Sequence, residues 1–329
     1  MAGTTSRTFR VLAVAAAVAA VVASATAQVK VSLPAGATVA ESNRDSAFTP
    51  PPSAPGGRRR GGGRGSSDGG RKPRIVGGRE VDKFTPDAGV EFMAAIYTPS
   101  GGFYCGGSLI GTNHVLTRAG CNVQVGDVVR LGSDTLFGGL PSKVTKVINH
   151  PSFVAAGDLN DLAVLKLSNP GEAALVAAGA LPITLDTSGA NVHGHYIHGF
   201  GTTDKQALSA GSFQLKRGYQ KRTPWAECAQ VLSAIQVAPG VPLPFNPNTQ
   251  VCTNLGSYTS GALCERDPGG AMFRVNTQTL NGVQVKVPIQ YAVASYWVAV
   301  PGQKCPQGMP NVGTLVAPFA SWIAAAKQA

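Results

Sequence analysis

Charge is scarce in this chain. Asp, Glu, Lys and Arg together make up 14% of its residues, and aromatic side chains 7%. With 41 glycines and 23 prolines beside them, that balance argues against a helical bundle and for a loop-rich, mostly β protein. Cysteine is absent before residue 105, so no disulfide can tie the first hundred residues to the remainder. No Asn-x-Ser/Thr sequence occurs, which removes N-glycosylation from consideration. Beyond residue 27 no run is long and apolar enough to form a membrane-spanning helix.

What is present begins with a processing signal. Arg7 and Arg10 precede the apolar run VLAVAAAVAAVVA, and Ala25-Thr26-Ala27 offers a small-residue cleavage site before Gln28. A basic head, a short apolar run and an A-x-A site make residues 1–27 an expected secretory signal peptide, and the chain an extracellular protein. Residues 28–74 form a Pro/Gly/Arg-rich arm containing TPPPSAP and GGRRRGGGRGSSDGGRKPR. Such a composition cannot bury enough apolar surface to fold alone, so a disordered pro-segment is expected. Its basic part, residues 58–74, reads either as a polyanion contact or as a flexible linker. The net charge of +11 sits mostly in the N-terminal part. Residues 1–74 hold 11 of the 28 Lys/Arg and 3 of the 17 Asp/Glu, which leaves 17 against 14 for residues 75–329.

From Ile75 the texture changes. The runs DVVRLG, KVTKVINH, DLAVLKL, HYIHGFG, AMFRVN and VQVKVPIQYAVASYW, separated by turn residues, read as short strands of barrels or a sandwich. Only PFASWIAAAKQ reads as helix, because Phe319, Trp322, Ile323 and Ala326 recur at helical spacing. All six cysteines lie in this part and fit an oxidising compartment. Six cysteines allow fifteen pairings, and spacing alone selects none of them.

Five stretches then stand in one order: R-I-V-G-G at 74–78, C-G-G-S-L-I-G-T-N-H-V-L-T-R-A-G-C at 105–121, N-D-L-A-V-L-K-L at 160–167, G-F-G-T-T at 199–203 and C-E-R-D-P-G-G at 264–270. In that order the chain resembles the trypsin/chymotrypsin-like serine proteases, over residues 75–329. The resemblance implies an all-β fold of two six-stranded antiparallel barrels with a C-terminal α-helix, and a site in the cleft between the barrels. It implies disulfides Cys105–Cys121, Cys228–Cys252 and Cys264–Cys305, the shortest loop contributing about 3 kcal/mol. It further implies an activation junction at Arg74–Ile75, an Ile75 amine that pairs with Asp267 once cleaved, and Ala262 at the base of a specificity pocket.

The reactive groups are missing from that frame. Acyl transfer at such a site needs a Ser to attack, a His to take its proton and an Asp to orient the His. The matching positions are Pro268, Gly120 and Asp161, so only the Asp remains. Proline also lacks the backbone N–H that an oxyanion hole uses, and Arg266 stands where the second donor is usually a glycine. Asp161 without an imidazole would be a buried carboxylate without its partner. Arg118, two residues before Gly120, either fills the vacated space and pairs with Asp161 or points to solvent. The sequence leaves both open.

Other candidates read more plainly. His114 is a structural residue on a strand, and Thr259 and Ser260 are loop hydroxyls without a base. His193 and His195 share a face if the strand includes both, but no third metal ligand accompanies them, and neither metal nor cofactor is expected. Lys216, Arg217, Lys221 and Arg222, with Tyr219 between, read as a basic surface strip that meets an anion or is simply solvated. The expected protein is thus a secreted, proteolytically inactive, monomeric homologue that acts by binding another protein. It resembles the oomycete glucanase inhibitor proteins, which implies an extracellular glycoside hydrolase as partner. The alternatives are polyanion binding through residues 58–74 and a residual serine-type endopeptidase.

Overall fold

Short runs of alternating burial wind the chain into two antiparallel bodies. A computed structural model describes residues 33–40, 44–47, 75–76, 78–81, 89–206, 211–256 and 261–329. Strands β1 (Thr38–Ala40) and β2 (Arg79–Glu80) come first. Next are β3 (Met93–Tyr97), β4 (Phe103–Gly111), β5 (His114–Thr117), β6 (Val128–Leu131), β7 (Leu140–Asn149) and β8 (Ala163–Leu167). These six close into a barrel in the order β3-β4-β5-β8-β7-β6, with Ala94–Tyr97 of β3 pairing back onto β6. Ile96, Tyr104, Leu109, Val115, Val129 and Leu165 fill its interior.

The second body uses β9 (Thr184–Leu185), β10 (Gly194–Gly199), β11 (Lys216–Lys221), β12 (Gln236–Ala238), β13 (Val241–Pro242), β14 (Gln250–Thr253), β15 (Ala271–Leu280), β16 (Val283–Ala299) and β17 (Asn311–Leu315). Its main path is β14-β17-β16-β15-β10-β11-β2. The six strands β14 to β11 curl towards one another, and the two ends meet at the Arg222–Thr253 bridge, through the Thr223 N–H to Cys252 carbonyl and Asn254 N–H to Lys221 carbonyl bonds, without forming a continuous ladder. This body is therefore a curled sheet rather than a fully laddered barrel. The cause is local: Pro224, with no N–H to give, ends the pairing and opens the helix Trp225–Leu232. The long β15–β16 hairpin turns at Asn281-Gly282, both at positive φ (51° and 81°), which is the geometry an Asn-Gly pair favours.

The expected terminal helix is present as Ala320–Gln328, with Ile323 and Ala326 buried beside Leu162 and Val164. The three disulfides are Cys105–Cys121, Cys228–Cys252 and Cys264–Cys305, and they use all six cysteines. Among the described residues no helix is long and apolar enough to cross a membrane.

The arm departs from its expected disorder. Residues 38–40 add to the edge of β16, pairing Thr38 with Ala299, Val39 with Val298 and Ala40 with Trp297. Further on, Arg44 reaches Asp127 of the closed barrel. An existing sheet edge supplies strand partners to this stretch of the arm. The expected signal peptide, Arg74 and the basic run 58–74 lie outside the described residues.

Candidate functional site

The motif positions converge where the two bodies meet. Thr117 ends β5, and the single turn Ala119–Cys121 follows, anchored by the Cys105–Cys121 bridge. Asp161 arrives on the loop before β8, and Ser295 from the inner stretch of β16. Asp161 accepts from the Gly120 N–H at 2.8 Å and from the Ser295 hydroxyl at 2.5 Å.

The space beside Asp161 is taken by Arg118, which is fully buried. Its Nε forms an ion pair with Asp161 Oδ2 at 2.8 Å, and its Nη2 one with Asp158 Oδ1 at 3.0 Å. Its Nη1 donates to the Ser295 carbonyl at 2.6 Å. Of the two readings left open by the sequence, the structure takes the pair. A Cβ added at Gly120 would lie 2.6 Å from Arg118 Cζ and 2.7 Å from Nε. Residue 120 has no side chain because the guanidinium already fills that volume. Two partners escaped the sequence reading. Asp158 carried a signal, an acidic residue three before Asp161 in D-L-N-D. Ser295 carried none, since it is 134 residues from the carboxylate it meets.

The loop bearing Pro268 keeps its backbone shape. The Pro268 carbonyl accepts from the Gly106 N–H at 2.9 Å. Arg266 adopts φ 74°, a left-handed conformation that costs a non-glycine residue on the order of 1 kcal/mol. Asp267 is buried, and its two oxygens accept from the N–H groups of Gly201 (2.9 Å) and Cys264 (3.0 Å). Burial pushes its pKa up to about 7, against the pull of those two donors and of Arg266. Among the described residues Asp267 has no ion-pair partner within 4.0 Å. Ile75 is buried close to Gly218 and Gly261. Beside it the Val76 carbonyl accepts from the Ala262 N–H at 3.1 Å and from Gln307 Nε2 at 3.1 Å.

Ala262 is fully buried in one apolar cluster with Trp297, Ile75 and Val76. Trp297 Nε1 donates to the Lys304 carbonyl at 2.6 Å. Asn311 Oδ1 accepts from the Leu263 N–H at 2.9 Å and from Gln220 Nε2 at 2.5 Å.

The expected basic strip is also redistributed. Lys216 is fully buried and pairs with Glu80, and Arg217 is buried with its guanidinium carbon 4.8 Å from the Tyr196 ring centroid. As successive residues of β11 they point to opposite faces, and both faces are covered there, whereas Lys221 is exposed and Arg222 partly so. His193 precedes β10 and is exposed. His195 is buried between Gln220 (3.2 Å) and Tyr291 (2.7 Å), with its pKa lowered to about 3 by burial. His114 is buried on β5, where burial and then the charges of Lys327 and Lys166 lower its pKa. Thr259 and Ser260 lie outside the described residues.

Two predictions follow from this geometry. Gly120→Ala should cost about 1–3 kcal/mol by overpacking against the held guanidinium. In an Arg118→Ala background the same change should cost less than about 0.5 kcal/mol, as urea unfolding of the four proteins would measure. The second concerns Asp267. Between the ordinary carboxylate value near 4 and about 7, the folded chain holds a proton that the unfolded chain has released. Stability should therefore fall as pH rises through that window and level off above it. In Asp267→Asn that part of the slope should vanish, whatever the variant's absolute stability.

The geometry agrees with what known proteins show. The family model described as Trypsin matches residues 75–323. The chain is 29% identical over 275 residues to the proclotting enzyme of Tachypleus tridentatus, covering 76% of this chain and 65% of that protein. It is 26% identical to serine protease ea of Drosophila melanogaster, covering 76% and 66%, and 30% identical to a trypsin of Saccharopolyspora erythraea, covering 60% and 81%. It thus spans just under two thirds of the length of the first two relatives. The fold matches that of neuropsin, a serine protease expressed in the limbic system of mouse brain, with a TM-score of 0.56 at 22% identity, over 75% of this chain and 97% of that one. The chain belongs to the trypsin family.

Proposed function

We propose that this trypsin-family protein does not hydrolyse peptide bonds and acts by binding another protein. The observation that carries the reading is the buried Arg118, held by Asp161, Asp158 and the Ser295 carbonyl in the space beside Gly120. A general base at residue 120 would need that volume, and a guanidinium cannot take the proton of an attacking hydroxyl, because it stays protonated at any working pH. Pro268 adds no hydroxyl and no N–H for the oxyanion. Loss of the base or the nucleophile alone costs a related kind of enzyme on the order of a millionfold in turnover. Both are gone here.

A rigid two-body scaffold with long surface loops suits recognition once the chemistry is lost. The partner class that the motif resemblance supplies is an extracellular glycoside hydrolase, bound and blocked in the manner of the oomycete glucanase inhibitor proteins. The expected processing signal at residues 1–27 and the three disulfides fit secretion. Since Lys216 and Arg217 are buried, the polyanion reading is left with residues 58–74 and with Lys221 and Arg222.

The secreted protein should resist covalent labelling by a serine-directed fluorophosphonate, should not cleave casein, and should inhibit a purified endoglucanase at a stoichiometry near one to one. Labelling or peptide cleavage at a protease-like rate would overturn the loss of catalysis. Heparin binding without endoglucanase inhibition would move the function to the arm.

A further inference from the structure

The segment 33–47 touches both bodies within a few residues. Leu33, Ala37 and Val39 pack against Tyr296, Val298 and Val312 on the curled sheet, and Ala40 against the cluster that holds Trp297. Ala47 packs instead on the core of the closed barrel. Only residues 41–43 separate Ala40 from Arg44, which reaches Asp127 of the closed barrel, a span of at most ~14 Å. Residues 33–40 and 44–47 therefore lie on different bodies, and Ala40 lies beside the site, because its strand partner Trp297 is two residues after Ser295.

The far end is held by charge. Asp127 is fully buried, with Oδ2 accepting from the Tyr104 hydroxyl at 2.7 Å and the Gln124 N–H at 2.8 Å. Arg44 supplies the cation: Nη2 lies 3.0 Å from Oδ1, and Nε 3.2 Å from Oδ2 and 3.3 Å from Oδ1. Arg44 itself is about one-third exposed. The body thus presents a strand edge and, four residues along, a buried carboxylate that needs a positive partner. Both are met by a segment that no disulfide retains and that 27 residues of chain separate from Ile75.

We propose that residues 33–47 are a built-in, displaceable ligand. The edge of β16 at Trp297–Ala299 and the Asp127 carboxylate form a peptide-binding surface that this chain fills itself. The partner that fits the same surface is an extended protein segment with small or β-branched residues along the strand and an arginine four positions after the last of them. Main-chain bonds along the edge accept many sequences; the buried carboxylate sets the charge and the register. The identity of an outside partner rests on the binding function proposed above, whereas the docking of the arm does not.

The test uses the full chain with a specific protease site placed between Gly62 and Gly63, cut after folding. The N-terminal fragment should remain with the body in gel filtration at micromolar concentration. Arg44→Ala should weaken that retention about tenfold or more. A fluorescent peptide of residues 31–48 should exchange with the fragment, and the same peptide with Glu at the Arg44 position should not. In the uncut protein the amides of Ala40 and Trp297, which face each other across the strand pair, should resist hydrogen exchange, and lose protection in Arg44→Ala while the closed barrel keeps its own. Immediate separation of the cut fragment, or arm amides exchanging as free peptide, overturns the docking. A retained fragment that no peptide displaces overturns the displaceable surface, and retention unchanged in Arg44→Ala overturns the role of Asp127. Endoglucanase inhibition and peptidase assays read the proposed function separately.

Discussion

One buried cation organises the centre of this molecule. Arg118 stands fully buried between two carboxylates and a backbone carbonyl. A guanidinium taken that far from solvent is tolerable only when its donors are nearly all used and opposite charge is in contact. Asp161 and Asp158 meet that condition, and in return neither carboxylate is left buried without a cation. Removing an imidazole from such a site would otherwise strand Asp161, because its remaining partners are the neutral Gly120 N–H and Ser295 hydroxyl. The substitution at 120 and the presence of arginine at 118 are best understood as one change. The glycine makes room, and the arginine occupies it.

The scaffold around this centre is kept for mechanical reasons that do not depend on chemistry. The Cys105–Cys121 bridge fixes the turn carrying Gly120, and Cys264–Cys305 fixes the loop carrying Pro268. Gly106 lies so close to this loop that an added Cβ would approach the Gly270 nitrogen to 3.0 Å. The loop holds its course although its hydroxyl is gone, and Asp267 remains buried inside it on two backbone donors. The backbone form of this loop is thus held by contacts that need no hydroxyl at residue 268. The arm shows the complementary behaviour: it owns no core, yet gains order by borrowing the edge of β16 and the charge of Asp127.

Much of this was legible in the sequence, and the illegible part has a common cause. The strands, the Asn281-Gly282 turn and the terminal helix announce themselves through local periodicity and turn chemistry, which need no distant partner. The disulfide pairing and the triad positions came from the order of motifs. What local patterns could not show were contacts between remote residues. Lys216 and Arg217 looked like surface charge because their partners, Glu80 and Tyr196, lie elsewhere in the chain. Residues 38–40 looked like linker because the strand they join is some 250 positions away. Trp297 gave no sign that it would share a buried cluster with Ala262.

The most direct measurement of the central claim is a double-mutant cycle between Arg118→Met and Asp161→Asn, read by urea unfolding of the wild type, both single variants and the pair. If the guanidinium is the partner that replaces the imidazole, Arg118→Met leaves the Asp161 carboxylate buried without a cation, and adding Asp161→Asn relieves that loss. Asp158 loses the same cation in both Arg118→Met proteins, so its contribution cancels in the cycle. The coupling energy should then reach about 2 kcal/mol or more. Changes that simply add, to within about 0.5 kcal/mol, would mean that Arg118 does not hold Asp161, and the account of residue 120 would fall with it.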